Sequence, residues 1–129
     1  MRPSLLPIDL LPGVLRVLSL SEREIILPWP DVQRAILLLT ASNVAVTGWE
    51  TWVKYPDGRF GRATDDSAIE MEPATITNDE TWRQFVERAQ RDVMRTMEAE
   101  NGRWALAPDL EGGVPHFRLF TPGSTLDPV

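Results

Sequence analysis

The chain has no cysteine, which excludes disulfides, thiolate nucleophiles and cysteine metal sites. It has a single histidine, His116, beside Pro115, and no nucleophile-elbow pattern surrounds any serine or threonine. A structural role for His116 is the simpler reading. No helical or short-loop spacing of His, Asp and Glu matches a metal site. Gly58 and Gly61 flank Arg59-Phe60 without the Gly-Lys-Ser/Thr of a phosphate loop. No catalytic residue, cofactor or metal is therefore expected. Long apolar runs are missing too: Ile36-Leu37-Leu38-Leu39 is far too short to span a bilayer. Pro3, Pro7, Asp9 and Pro12 interrupt any signal-peptide core, so the expected compartment is the cytoplasm. Basic residues are in deficit, 13 against 19 acidic, for a net charge of −6. That sign argues against nucleic-acid binding and against docking on an anionic membrane. It suits a basic protein partner.

What is present is an ordinary globular composition. With 129 residues, 43% of them hydrophobic, the chain has enough apolar surface for one core, so a single domain over 1–129 is expected. Residues 1–12 are broken by proline and read as an irregular arm, with a short helix over Leu10 to Leu18. Glu24 to Leu27 is a short strand stopped by Pro28. Asp31 to Ala41 is a helix: Val32, Ala35, Ile36 and Leu39 recur at i, i+3, i+4 and i+7. After a turn at Ser42-Asn43, a strand begins at Val44 and runs to Val53. Tyr55-Pro56-Asp57-Gly58 is a type I turn that returns Arg59 to Thr64 as a hairpin strand. Ala68 to Glu72 alternates, which gives a half-exposed strand with an acidic outer face. Thr77 and Glu80 form a capping box for a helix over Asn78 to Glu100, closed by Asn101-Gly102. Glu87 and Arg91 lie at i, i+4 on it, in the favourable orientation. Trp104 to Ala107 and His116 to Phe120 read as short strands, and the tail from Thr121 as flexible. The fold class expected is α+β, two main helices on a mostly antiparallel sheet.

The informative cluster is aromatic and acidic together. Trp49, Glu50 and Trp52 fall near Asp65, Asp66, Glu70 and Glu72 if the middle strands are neighbours. Tryptophan is enriched at interface hot spots, and carboxylates around it would steer a basic partner. Trp49 and Trp52 are three apart on a strand and so face opposite ways, which puts at least one in the core. Glu70 and Glu72 on one strand face are a candidate acid–base pair, although a solvated face explains them as well. A deep apolar pocket lined by Glu50 or Glu70 with Arg59 would favour an enzyme.

The helix-to-strand unit resembles a family of bacterial immunity proteins from polymorphic toxin systems. In that family a Leu-rich helix leads into an apolar strand ending Gly-Gly-Asp-Val-aromatic. Here the stretch is Ile36-Leu37-Leu38-Leu39, Val44-Ala45-Val46 and Gly48-Trp49-Glu50, with Trp49 in place of the second glycine and Glu50 in place of the acid. Thr81-Trp82-Arg83-Gln84-Phe85-Val86 resembles the family's Ser/Thr-Trp-x-x-Phe/Tyr-Val helix, and Phe117-Arg118-Leu119-Phe120 its last strand. The resemblance implies a protein without activity of its own that blocks a cognate toxin; a monomer or weak homodimer is expected. The acidic charge fits a basic toxin such as a nuclease. Two other readings stand beside it: a small adaptor that forms a homodimer, and an enzyme using the carboxylates around Glu70.

Overall fold

The computed structural model describes residues 6–64 and 69–122. Helices α1 (Gly13–Leu18), α2 (Asp31–Ala41) and α3 (Trp82–Leu106) pack with strands β1 (Ile26–Pro28), β2 (Gly48–Lys54), β3 (Phe60–Arg62), β4 (Glu70–Met71) and β5 (Val114–Phe120). The sheet order is β1-β5-β2-β3, with β4 also paired to β2, and every pairing is antiparallel. The α+β class read from the sequence is thus the one observed.

All three helices feed the same side of the sheet. Leu15 of α1, Val32, Ala35, Ile36 and Leu39 of α2, and Val93 and Met97 of α3 share one apolar cluster with Leu27, Trp49, Phe117 and Leu119. Alternation along a strand sends successive side chains to opposite faces. Trp49, Thr51 and Val53 therefore point into the helices, while Glu50, Trp52 and Lys54 point away. No helix among the described residues covers that second face.

Several boundaries differ from the sequence reading, each for a visible reason. The N-terminal helix is split by Pro12 into a 3-10 turn, Pro7–Leu10, and α1. The strand expected at Glu24 begins at Ile26 instead. The residues before it curl back, with the Ser19 hydroxyl accepting from Ile26 N and the Leu20 N–H donating to Ile26 O. The strand expected from Val44 starts at Gly48. Val44, Ala45 and Val46 are buried, but Asn43 turns through a left-handed φ of 63° and sends them between the helices before ladder pairing begins. Gly48 is required where it sits: a Cβ there would lie 2.7 Å from the Met71 carbonyl. The hairpin strand shortens to β3 and the acidic strand to β4, which leaves Glu72 exposed just beyond it.

The long helix is displaced at both ends. Thr77 and Glu80 do form reciprocal contacts, Thr77 N to Glu80 Oε1 at 3.0 Å, but in a turn. A second box one turn later, Thr81 with Gln84, caps α3 itself. At the far end the helix passes through Gly102 and takes in Trp104, where a strand was expected. Glu100 accepts from Arg103 at 2.7 Å and from Trp104 Nε1 at 3.0 Å, and these i, i+3 and i, i+4 bridges carry the helix over the glycine. Glu87 pairs with Arg83 at 3.6 Å.

Glu80 is also tied to Arg88 at 2.6 Å, and this bond with the Thr77 N–H lowers its pKa from 4.5 to about 2. A folded-state value below the unfolded one stabilises above the unfolded value and ceases to as pH falls through the folded one. Thermal midpoints should therefore drop between pH 4.5 and about 2, and Glu80→Gln should flatten that acid limb. Identical limbs in both proteins would refute the assignment.

Candidate functional site

The helix-free face of the sheet is built in rows across the strands. One row runs Glu70 on β4, Glu50 on β2, Arg118 on β5 and Ile26 on β1; the next runs Arg62, Trp52, His116 and Pro28. Direct partners in an antiparallel pair share a face, so each row is a line of neighbouring side chains.

Glu50 is the centre of this face and is 6% exposed. Its Oε1 accepts from Arg118 Nη1 at 2.8 Å and from Trp52 Nε1 at 3.1 Å. Among the described residues its Oε2 is approached only by Arg62 Nε at 3.6 Å, longer than a hydrogen bond. Arg118 reaches Glu24 at 3.4 Å and lies 5.1 Å over the Phe120 ring. Burial works against the guanidinium charge, but Glu50 and Glu24 more than offset it and raise its pKa. Trp52 is half-buried and sits 6.3 Å from the exposed ring of Phe60. His116 is buried, with Nδ1 3.1 Å from the Val114 carbonyl; desolvation, aided by Lys54, pushes its pKa below the usual range.

The residues singled out from the sequence divide as follows. Glu50, Trp52 and Glu70 come together on the open face. Trp49 does not: it is 2% exposed, packs edge-on to Phe117 at 5.6 Å, and donates from Nε1 to Thr96 at 2.9 Å. It is a core residue, unavailable to a partner. Glu50, read as a surface carboxylate, is instead enclosed by its ion pairs. Glu72 is exposed at the end of β4, and Asp65 and Asp66 lie outside the described residues. Sequence reasoning did not single out Arg118, Arg62 or Phe60, because their membership depends on strand register. The one available signal was the alternation of His116, Arg118 and Phe120.

Between β4 and α3, Trp49, Glu70, Met71, Thr96, Ala99 and Glu100 line an open groove of about 470 Å³. Arg59, the cation that an enzyme reading asked for, is elsewhere: it pairs with Asp57 at 2.6 Å in the hairpin turn. Within the groove the buried carboxylate of Glu100 already holds Arg103 and Trp104. No helix among the described residues is long and apolar enough to cross a membrane. Comparison with family models, curated proteins and solved structures finds no match to this chain, so the geometry of the open face carries the functional reading.

Proposed function

We propose that this protein acts by binding, as an immunity-like inhibitor that docks a basic toxin through the helix-free face of its sheet. The observation that carries the reading is the pairing of Trp52 with the exposed Phe60 around a preformed Glu50–Arg118 ion pair. Tryptophan and arginine dominate the energetics of protein interfaces, chiefly where the surrounding polar groups are already held in place. The net charge of −6 adds long-range attraction to a basic partner.

The test is co-expression with the product of the adjacent gene, scored by growth rescue and co-purification. Trp52→Ala should weaken the complex by about 30-fold, the effect of losing a hot spot of about 2 kcal/mol. No rescue and no co-purifying neighbour would sink the proposal, as would unchanged affinity in a Trp52→Ala, Phe60→Ala double variant. A stable homodimer abolished by the same substitutions would instead make the face a self-association surface.

A further inference from the structure

We infer that the free edge of β3 takes up an extended segment of the docked partner as an added antiparallel strand, whose central apolar side chain enters a pocket beside Gly61. The edge borders the open face, so the inference rests on the reading of that face as a docking surface and names what the partner brings to its rim.

Two independent observations point to a strand. The first is hydrogen bonding. Tyr55 N donates to Arg59 O at 2.8 Å and Ala63 N to Thr51 O at 2.9 Å, so Arg59 and Ala63 turn these groups toward β2. Phe60, opposite Lys54, and Arg62, opposite Trp52, fall at the alternate positions. In an antiparallel ladder their N–H and C=O groups therefore point away from β2. Among the described residues nothing pairs with these four groups. The opposite edge of the sheet is closed: Ile26 N donates to Ser19 Oγ, Ile26 O accepts from Leu20 N, and Pro28 has no N–H. A sheet that covers one edge and leaves the other bare offers the bare one as a template for pairing.

The second observation is a pocket. Val53, Tyr55, Gly61, Ala63, Trp104 and Asp109 line a hollow of about 310 Å³ beside β3. Gly61 stands opposite Val53, whose side chain points toward the helices, so a residue paired with Gly61 from outside would project on that same side. Nothing lies within 4 Å of the place a Cβ on Gly61 would occupy, which leaves the way in open. Two walls are held in place: the Trp104 indole donates to Glu100 at 3.0 Å, and Asp109 accepts from the N–H groups of Glu111 and Gly113. Main-chain bonds at an edge with a side-chain pocket next to them are what strand addition uses for affinity and for specificity.

The register sets the chemistry of the segment. Arg59 lies 5.1 Å over the Tyr55 ring and Arg103 5.8 Å over the Trp104 ring, so the aromatic walls already carry cations and the entering side chain is apolar. The residue opposite Arg62 is acidic, because that guanidinium is 65% exposed and its contact to Glu50 is 3.6 Å. The residue opposite Phe60 meets an exposed ring and is apolar too.

The probe is the capped peptide acetyl-Thr-Glu-Phe-Val-Thr-amide, titrated into the isotopically labelled full chain and followed by NMR. In antiparallel register its Glu, Phe and Val fall opposite Arg62, Gly61 and Phe60. The Phe60 and Arg62 amide protons should move downfield saturably and exchange with solvent more slowly. The Trp104 indole N–H should shift, while that of Trp49, held by Thr96, should stay still as an internal reference. Methylating the backbone nitrogens of the probe's Glu and Val removes two strand donors and should weaken it at least tenfold. Replacing its Phe by Ala should cost about tenfold. Gly61→Val should close the pocket and weaken the probe about tenfold without lowering the melting temperature, since the space is open and a strand accepts valine. No saturable shift at Phe60 and Arg62, equal affinity of the N-methylated peptide, or unchanged affinity in Gly61→Val would each overturn the assignment. A peptide that fails while a toxin still binds would remove the edge site and leave the docking face standing; a peptide that binds with no toxin found would support the edge site alone.

Discussion

Phe117→Ala should cost about 3–5 kcal/mol of unfolding free energy, the range for emptying a fully buried aromatic position. Phe117 is 0% exposed and lies on β5 between Leu27 of β1 and Thr51 of β2. Its ring meets Trp49 at 5.6 Å and Trp29 at 6.4 Å, both near right angles, so substitution also ends two edge-to-face contacts. The walls are ill placed to collapse, because Trp49 is pinned to Thr96 and the flanking strands are held by their ladders. A residual cavity is therefore expected, and with it the upper part of the range. Urea unfolding monitored by tryptophan fluorescence measures it. A loss of less than about 1 kcal/mol would mean that the core closes over the gap and that Phe117 does not organise it.

The same residue shows what local sequence pattern can and cannot convey. Phe117 and Leu119 alternate with His116, Arg118 and Phe120, and that alone placed the first two on the core side of a strand. The stripe of Val32, Ala35, Ile36 and Leu39 gave α2 its observed limits, because a proline precedes it and a left-handed Asn43 follows it. Both are short-range signals. The ends of α3 were misread because two capping boxes stand four residues apart, and the choice between them was made at a distance. Arg88 draws Glu80 into the turn, and Trp82 and Arg83 donate to the carbonyls of Asn43 and Thr40, which fixes the start of the helix against α2. At the other end Gly102 looked like a stop, but nothing lies within 4 Å of the place a Cβ would occupy. The glycine is simply carried along by the Glu100 bridges.

Half of the candidate face was legible in this way. That Trp49 and Trp52 face oppositely follows from the period of a strand; which of them is buried does not. It depends on which side α2 and α3 pack, and the apolar stripe of a helix does not say which face of a sheet it will meet. The burial of Glu50 was equally hidden. A lone glutamate between two tryptophans reads as a surface group, and only the β2–β5 register supplies the arginine that makes its enclosure tolerable.

That dependence gives the second large effect. Arg118→Met should destabilise by about 2–4 kcal/mol, toward the lower end because the arginine side chain is 30% exposed. The substitution leaves Glu50 enclosed with the Trp52 indole as its one hydrogen-bond donor among the described residues, since Arg62 stands at 3.6 Å. The cost therefore comes from a stranded carboxylate more than from the lost attraction. Removing that carboxylate as well should reverse much of it: Glu50→Leu with Arg118→Met should fall within about 1 kcal/mol of the wild type, as apolar replacements of buried pairs often do. A double-mutant cycle by urea unfolding then yields a coupling of about 2 kcal/mol or more. Strictly additive single effects would mean that water reaches the pair freely and that the face is an ordinary solvated surface. A stable double variant has a further use. Its fold is intact while the Glu50–Arg118 pair is gone, so any loss of partner binding in it belongs to that pair at the interface rather than to the stability of the sheet.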